Sequence, residues 1–241
     1  MSSLKQFTKR RFVFLMYQYL DNPAWYALCS GNKGFSNGND NVKFFDSEVS
    51  PFIATKENGE EYFQMLYDFI PNHSPVIFIS SKQMEFPSIW KFRRLIKGIQ
   101  MIYEGHKIEE MLNSDIIPLN NSHVDQMVSL TKLTDPGPFG PRTIEFGHYY
   151  GIIKEKKLIA MAGQRLHVYD FTEISAVCTH PDFTGKGYAK DLLRHQINRM
   201  QNSSFTPYLH VRSDNDRAIS VYESLGFKTR TEIFFYVLQK Q

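Results

Sequence analysis

The sequence predicts an α/β protein in two parts, a smaller N-terminal α/β unit over residues 1–112 and a second α/β unit over residues 113–241. Three observations predict it. Along the whole chain, apolar residues recur at helical spacing in some segments and as short β-rich runs in others. The second half reads as a hairpin followed by strand, helix, strand, helix and strand, with turn residues at the junctions. A hydrophobic fraction of 42% and an aromatic fraction of 15% supply enough apolar material for a well-filled core.

In the first part, residues 12–20 form an apolar run behind Lys9, Arg10 and Arg11. Its short length, Gln18, two tyrosines and lack of a small-residue cleavage site make it an amphipathic core segment rather than a signal peptide. Residues 31–41 are dense in Gly and Asn and predict a loop. Tyr62, Phe63, Leu66, Phe69 and Ile70 have helical spacing, and Pro71 stops that helix. Residues 76–80 (VIFIS) predict a buried strand. Over 90–103, two β-rich runs flank Lys97 and Gly98, which predicts a hairpin, with a helix as the alternative.

In the second part, Ser122 and Asp125 form a capping-box-like start to a helix running through Leu130. Residues 134–143, with three prolines and two glycines, predict a loop. Strands over 150–153 and 158–164 flank a charged turn. A strand over 172–179, a helix over 187–200 and a strand over 208–211 follow. A helix over 216–225, closed by Gly226, and a strand over 233–238 complete the order.

Composition narrows the function classes. A net charge of +3 without a recognition motif, even counting Lys9 to Arg11 and Lys91 to Arg94, argues against a nucleic-acid partner. Cys29 and Cys178 make neither a disulfide framework nor a metal-type spacing, and the histidines are scattered, so no metal is expected. A reducing cytoplasmic location is the expectation. No stretch approaches the roughly 18–20 apolar residues of a membrane span, so no membrane partner is expected.

The chemistry concentrates in residues 173–193, EISAVCTHPDFTGKGYAKDLL. A strand ends at His180 and Pro181, and Gly185-Lys186-Gly187 opens the next helix. Glycines let several backbone N–H groups converge at a helix start, where the dipole favours an anion such as a diphosphate. Neither a Walker A loop nor a G-x-G-x-x-G dinucleotide fingerprint is present. Spacing alone leaves two readings open, an anion-binding turn or a strand–helix connection without a ligand.

The run THPDFTGKGYAKDLL resembles the signature of the GNAT superfamily of N-acyltransferases, [QR]-x-x-G-x-[GA] after a strand. Thr184 stands at the first position, followed by Gly185, Lys186, Gly187, Tyr188 and Ala189. Asn215, Ala218, Tyr222, Gly226 and Phe227 are similar to the superfamily's second motif at the expected distance. DPGPFGPRT, AMAGQRL and EISAVCTHPDF, with LDNPAWYALCSGN and EVSPF upstream, resemble a branch of predicted bacterial acetyltransferases with a glycine N-acyltransferase-like C-terminal domain. Nearly the whole chain is covered.

The resemblance implies a mixed, mostly antiparallel sheet flanked by helices and direct transfer from acetyl-CoA, with no metal, to a primary amine of a small molecule or a protein. A non-catalytic acyl-CoA sensor on the same scaffold is the alternative, and a monomer or homodimer is expected. It implies that the backbone at Val177, Cys178 and Thr179 bonds the pantetheine arm, and that residues 184–189 and Asn215 contact the cofactor. Tyr222 is the implied acid toward the leaving thiolate, with a core tyrosine as its other reading. Glu173 is the implied general base, against a strand-end carboxylate; His180 and His148 are reserves. Lys186 and Arg212 are possible phosphate cations or ordinary solvated charges. The N-terminal part, with the loop over 135–142, is expected to shape the acceptor cleft.

Overall fold

The structure, a computed structural model, describes residues 16–71, 73–108 and 115–241. The basic cluster at 9–11, residues 12–15 of the first apolar run and the 112/113 boundary lie outside the described residues. Five α-helices are described: α1 (Pro23–Cys29), α2 (Glu60–Phe69), α3 (Val124–Thr134), α4 (Tyr188–Asn202) and α5 (Asp216–Leu225). The strands are β1 (Asn37–Gly38), β2 (Val42–Phe44), β3 (Phe52–Thr55), β4 (Val76–Ser80), β5 (Trp90–Tyr103), β6 (Ile116–Pro118), β7 (Tyr150–Lys154), β8 (Lys157–Val168), β9 (Phe171–Thr179), β10 (Thr206–Arg212) and β11 (Phe227–Lys240).

These strands form one sheet in the order β1-β2-β3-β4-β11-β5-β10-β9-β8-β7-β6. Two neighbouring pairs are parallel, β3 with β4 and β9 with β10. Each is joined through a helix, α2 and α4 respectively, as a parallel crossover requires. The rest are antiparallel, so the sheet is mixed and mostly antiparallel, with helices on both faces.

Strand alternation sorts the core into layers. Met101, Leu209 and Phe227 meet Leu193 of α4 and Tyr222 of α5 on one face. Ile102 and Tyr208, one residue away on the same strands, share the other face with Leu28 of α1 and Met127 of α3. At the far end Phe63 and Leu66 of α2 pack with Phe78, Trp90 and Tyr236.

The expected hairpin at Lys97 and Gly98 is instead one continuous strand. Both edges of β5 are occupied, by β10 (Arg212 opposite Gly98) and by β11 (Ile233 opposite Gly98). A Cβ at residue 98 would lie 2.9 Å from the Val211 carbonyl oxygen and 3.1 Å from Ile233 Cγ2. The glycine admits close neighbours rather than a turn. The start of α3 also differs from expectation. Asn120, not Ser122, makes the capping box, and it closes a 3-10 turn over Asn121–His123 that leads into α3: its Oδ1 accepts from Ser122 N at 3.0 Å, and His123 Nδ1 accepts from Asn120 N at 3.1 Å.

A division at 112/113 therefore runs through one sheet, because β5 sits between two strands of the later part. Trp90, Met101, Ile102 and Tyr103 of β5 are all buried. Each contributes about 1.5–3 kcal/mol, a sum comparable with a whole domain's stability of about 5–15 kcal/mol. A fragment of residues 113–241 is expected to show no cooperative thermal unfolding, where the full chain shows one transition; a sharp transition in the fragment would contradict this role of β5.

Candidate active site

β9 and β10 pair at only three positions, ending at Tyr208 opposite Glu173. Beyond that pair β10 continues against β5 to Arg212, and β9 continues against β8 to Thr179, so the two strands part. Ala176, at φ 53°, lies where the β8–β9 register shifts. A left-handed Ala costs roughly 1–2 kcal/mol, and the bulge it forms bends β9 from its neighbour. The β10-facing backbone of β9 is thereby left without a strand partner.

A buried charge cluster marks the root of this fork. Arg165 Nε donates to Glu173 Oε2 at 2.9 Å and Arg165 Nη2 to Oε1 at 2.5 Å. Leu166 N donates to Oε2 at 3.3 Å, and His210 Nδ1 lies 2.8 Å from Oε1. Arg230 Nη1 donates to Gln100 Oε1 at 2.8 Å, so the Gln100 amide nitrogen turns to Leu20 O and to His210 Nε2, each at 2.9 Å. His210 accepts there and donates from Nδ1 to Glu173. Burial pushes the Glu173 carboxyl up, but the charge of Arg165 and the hydrogen bonds from Arg165 and His210 outweigh it and hold it at about 2. The expectation of a general base at Glu173 is corrected here: a 1% exposed, fully bonded carboxylate anchors three strands and does not line the cleft beside the fork.

That cleft, of about 360 Å³, gathers most of the residues singled out in the sequence. β9 contributes Val177, Cys178 and Thr179 along its free end, and the following turn contributes Thr184, Gly185 and Gly187. Tyr188 and Ala189 open α4, while Asn215 and Tyr222 close the opposite side. Gly185 and Gly187 have φ of +79° and +87°, and no atom lies within 4 Å of a Cβ built on either. They are required by backbone conformation and leave open space above the turn. The first bond of α4 runs from Asp191 N to Gly187 O at 3.1 Å, so the amides of Tyr188, Ala189 and Lys190 lack helical acceptors. Those amides and the helix dipole make an anion site. Thr179 Oγ1 is a buried wall atom without a partner, a position suited to a polar ligand group.

Tyr222 is buried beside Phe227, and its hydroxyl makes no hydrogen bond among the described residues. Burial, and then nearby Cys178, push its pKa up to about 12, so it keeps its proton at neutral pH. The Cys178 thiol is likewise pushed up to about 12 by burial and stays a thiol. Asn215 caps α5, its Oδ1 accepting from Ala218 N at 3.1 Å.

Lys186 does not line the cleft; its ammonium sits 4.8 Å from the centre of the Phe183 ring. His180 accepts from Asp182 N at 3.3 Å and lies 2.8 Å from Lys157 Nζ, and His148 pairs with Arg199 at 2.9 Å. Burial, then Arg199, lower the His148 pKa, and neither histidine lines the cleft. Arg212 is paired with Asp214 at 2.7 Å. Sequence reasoning missed Lys190 and Arg217, the cations that do line the cleft. Their signal was position: Lys190 is one turn into α4 from Gly187, and Arg217 is two residues past the Asn215 cap. Among the described residues no group of three or more His, Cys, Asp or Glu side chains is arranged to hold a metal, and no helix is long and apolar enough to cross a membrane.

Glu173 has a folded pKa of about 2, below its ordinary value of 4.5. Its stabilisation is therefore complete above about pH 4.5 and is lost as pH falls through about 2. Glu173→Gln leaves Arg165 buried without a counter-charge, an expected cost on the order of 3–5 kcal/mol at pH 7. Urea unfolding from pH 7 to 2.5 should show the wild-type advantage shrinking below pH 4.5; parallel curves would contradict the cluster's role.

Known proteins match this part of the chain. The family described as FR47-like protein matches residues 149–236, which span the fork, the cleft and both of its helices. The [ribosomal protein bS18]-alanine N-acetyltransferase of Salmonella typhimurium is 37% identical over 65 residues, 27% of this chain and 44% of that protein. The N-alpha-acetyltransferase RimI of Mycobacterium tuberculosis is 31% identical over 85 residues, 34% of this chain and 52% of that protein. The chain thus spans about half the length of these curated relatives. A crystal structure assigned to the GNAT family of acetyltransferases, from Novosphingobium aromaticivorans, superposes with a TM-score of 0.86 at 29% identity, covering 92% of this chain and 98% of that one. With its splayed strands, glycine turn and both sequence motifs in one cleft, the chain has the fold of the GNAT acetyltransferases and is similar in sequence to N-acetyltransferases of that superfamily.

Proposed function

We propose that this protein is an acyl-CoA-dependent N-acyltransferase, with acetyl-CoA as donor, acting directly on a primary amine. The observation that carries the proposal is the meeting, in one cleft, of free helix-start amides, the unpaired edge of β9 and the free Tyr222 hydroxyl. The amides of Tyr188 to Lys190 receive the diphosphate, with Lys190 and Arg217 adding positive charge. The backbone at Val177 and Thr179 takes the pantetheine arm as an added strand. A β9 amide aimed at the thioester oxygen stabilises the negative charge that develops there.

The amine lone pair attacks the thioester carbon, the carbon–sulfur bond breaks, and coenzyme A leaves as thiolate while the amine's proton passes to water. Tyr222, at about 12, is a weaker acid than a thiol of reference pKa about 8.5. It therefore acts as a hydrogen-bond donor to the departing sulfur rather than by full proton transfer. The named relatives acetylate an alanine of a ribosomal protein or an N-alpha amine; this chain's acceptor is placed in the amine class on that likeness. Its motifs favour the glycine N-acyltransferase-like branch, and residues before 113 supply the acceptor-side wall.

With acetyl-CoA and an amine panel, Tyr222→Phe is expected to lower kcat about 100-fold with coenzyme affinity unchanged. Unaltered turnover would reduce Tyr222 to a packing residue. Gly187→Val puts a β-branched residue at φ +87° and fills the space above the turn. Calorimetry should show coenzyme A binding lost while circular dichroism stays native; normal affinity would refute the diphosphate site.

A further inference from the structure

A second cavity, of about 350 Å³, opens on the β10 side of the same fork. Val211 and Arg212 line it from the free end of β10, as Val177 and Thr179 line the coenzyme cleft from the free end of β9. The cavities thus flank one gap between parted strands. Phe52, Ile77 and Phe235 give the second cavity an apolar wall.

Its charges divide sharply. Arg165 is neutralised by Glu173 and Arg212 by Asp214, and both ring nitrogens of His210 are occupied. Two opposite charges remain that line the cavity and have no ion pair among the described residues, Arg94 and Asp135. Asp135 follows Thr134, the last residue of α3, which lies beside Cys178 on the free end of β9 while its hydroxyl donates to Leu130 O at 2.7 Å. The Asp135 carboxylate therefore stands at the mouth of the fork, close enough to Arg212 to feel its charge. Arg94 is on β5, opposite Val237 of β11.

We propose that this cavity holds the acceptor and that the acceptor is a small amine carrying a carboxylate. Asp135 receives the ammonium end at the fork, Arg94 the carboxylate through its planar guanidinium, and the apolar wall the body between them. The proposal rests on the acyltransferase reading and adds the class of substrate.

The test compares amines that differ only in a carboxylate, leucine against 3-methylbutylamine and 6-aminohexanoate against pentylamine, with acetyl-CoA and the full chain. At least one carboxylated member is expected to exceed its partner in kcat/KM by about tenfold or more. Arg94→Gln should bring that ratio close to one by raising KM for the carboxylated amine, with coenzyme affinity unchanged, and Arg94→Lys should restore part of it. Asp135→Asn should lower kcat/KM for both members. Equal kcat/KM within every pair, or a preference that survives Arg94→Gln, overturns the proposal. If no amine is acetylated, the acyltransferase reading fails, and calorimetry with the same compounds decides the cavity. Carboxylated amines that bind the wild type but not Arg94→Gln sustain the site; absence of binding removes it.

Discussion

A carboxylate buried among strands is costly unless its partners restore what water supplied. Glu173 recovers that loss from Arg165, the Leu166 amide and His210, and so ties β8, β9 and β10 together at the last rung before the fork. The cleft, the second cavity and the free strand edges depend on this knot. Without it, the left-handed Ala176 has weaker flanking structure to hold it in place.

The fork also explains the polarity of the site. Its α4 side offers amides, cations and an orphaned threonine hydroxyl, suited to an anionic, hydrogen-bonding arm. Its β10 side is walled by aromatic and aliphatic side chains, with charges at opposite sources, one from β5 and one from the turn after α3. The two cavities draw on elements far apart in sequence, so the lining of one can vary without the other.

Much of this was legible in the sequence, for reasons specific to each element. α5 was bounded by an Asn cap and a glycine stop, both local signals, and its span was read correctly. β4 was a short apolar run between breakers. The lining of the first cleft was readable because its glycines and its motif residues lie within one strand–turn–helix segment and one cap. β5 was misread because Gly98 looks like a turn, whereas its reason lies in Val211 and Ile233, over 100 residues away. The role of Glu173 was obscure for the same reason, since Arg165 and His210 converge on it only in three dimensions. Lys186 and Lys190 are indistinguishable by composition; Lys186, in the turn before α4, lies over the Phe183 ring, whereas Lys190, in the first turn of α4, lines the cleft.

The central place of β5 reaches into how the molecule is made. Its register with β11 joins Trp90 to Lys240 and Tyr103 to Phe227, contacts of very large sequence separation. Such pairings form slowly, because a long loop must close before any contact is gained. On the ribosome, β5 emerges early and waits for β10 and then β11, its backbone donors and acceptors unclaimed on both sides. A long open strand of this kind is a template for neighbouring chains. The lysine and arginines at 91, 93 and 94 stand on that strand, and like charges of this kind oppose edge-to-edge pairing between copies.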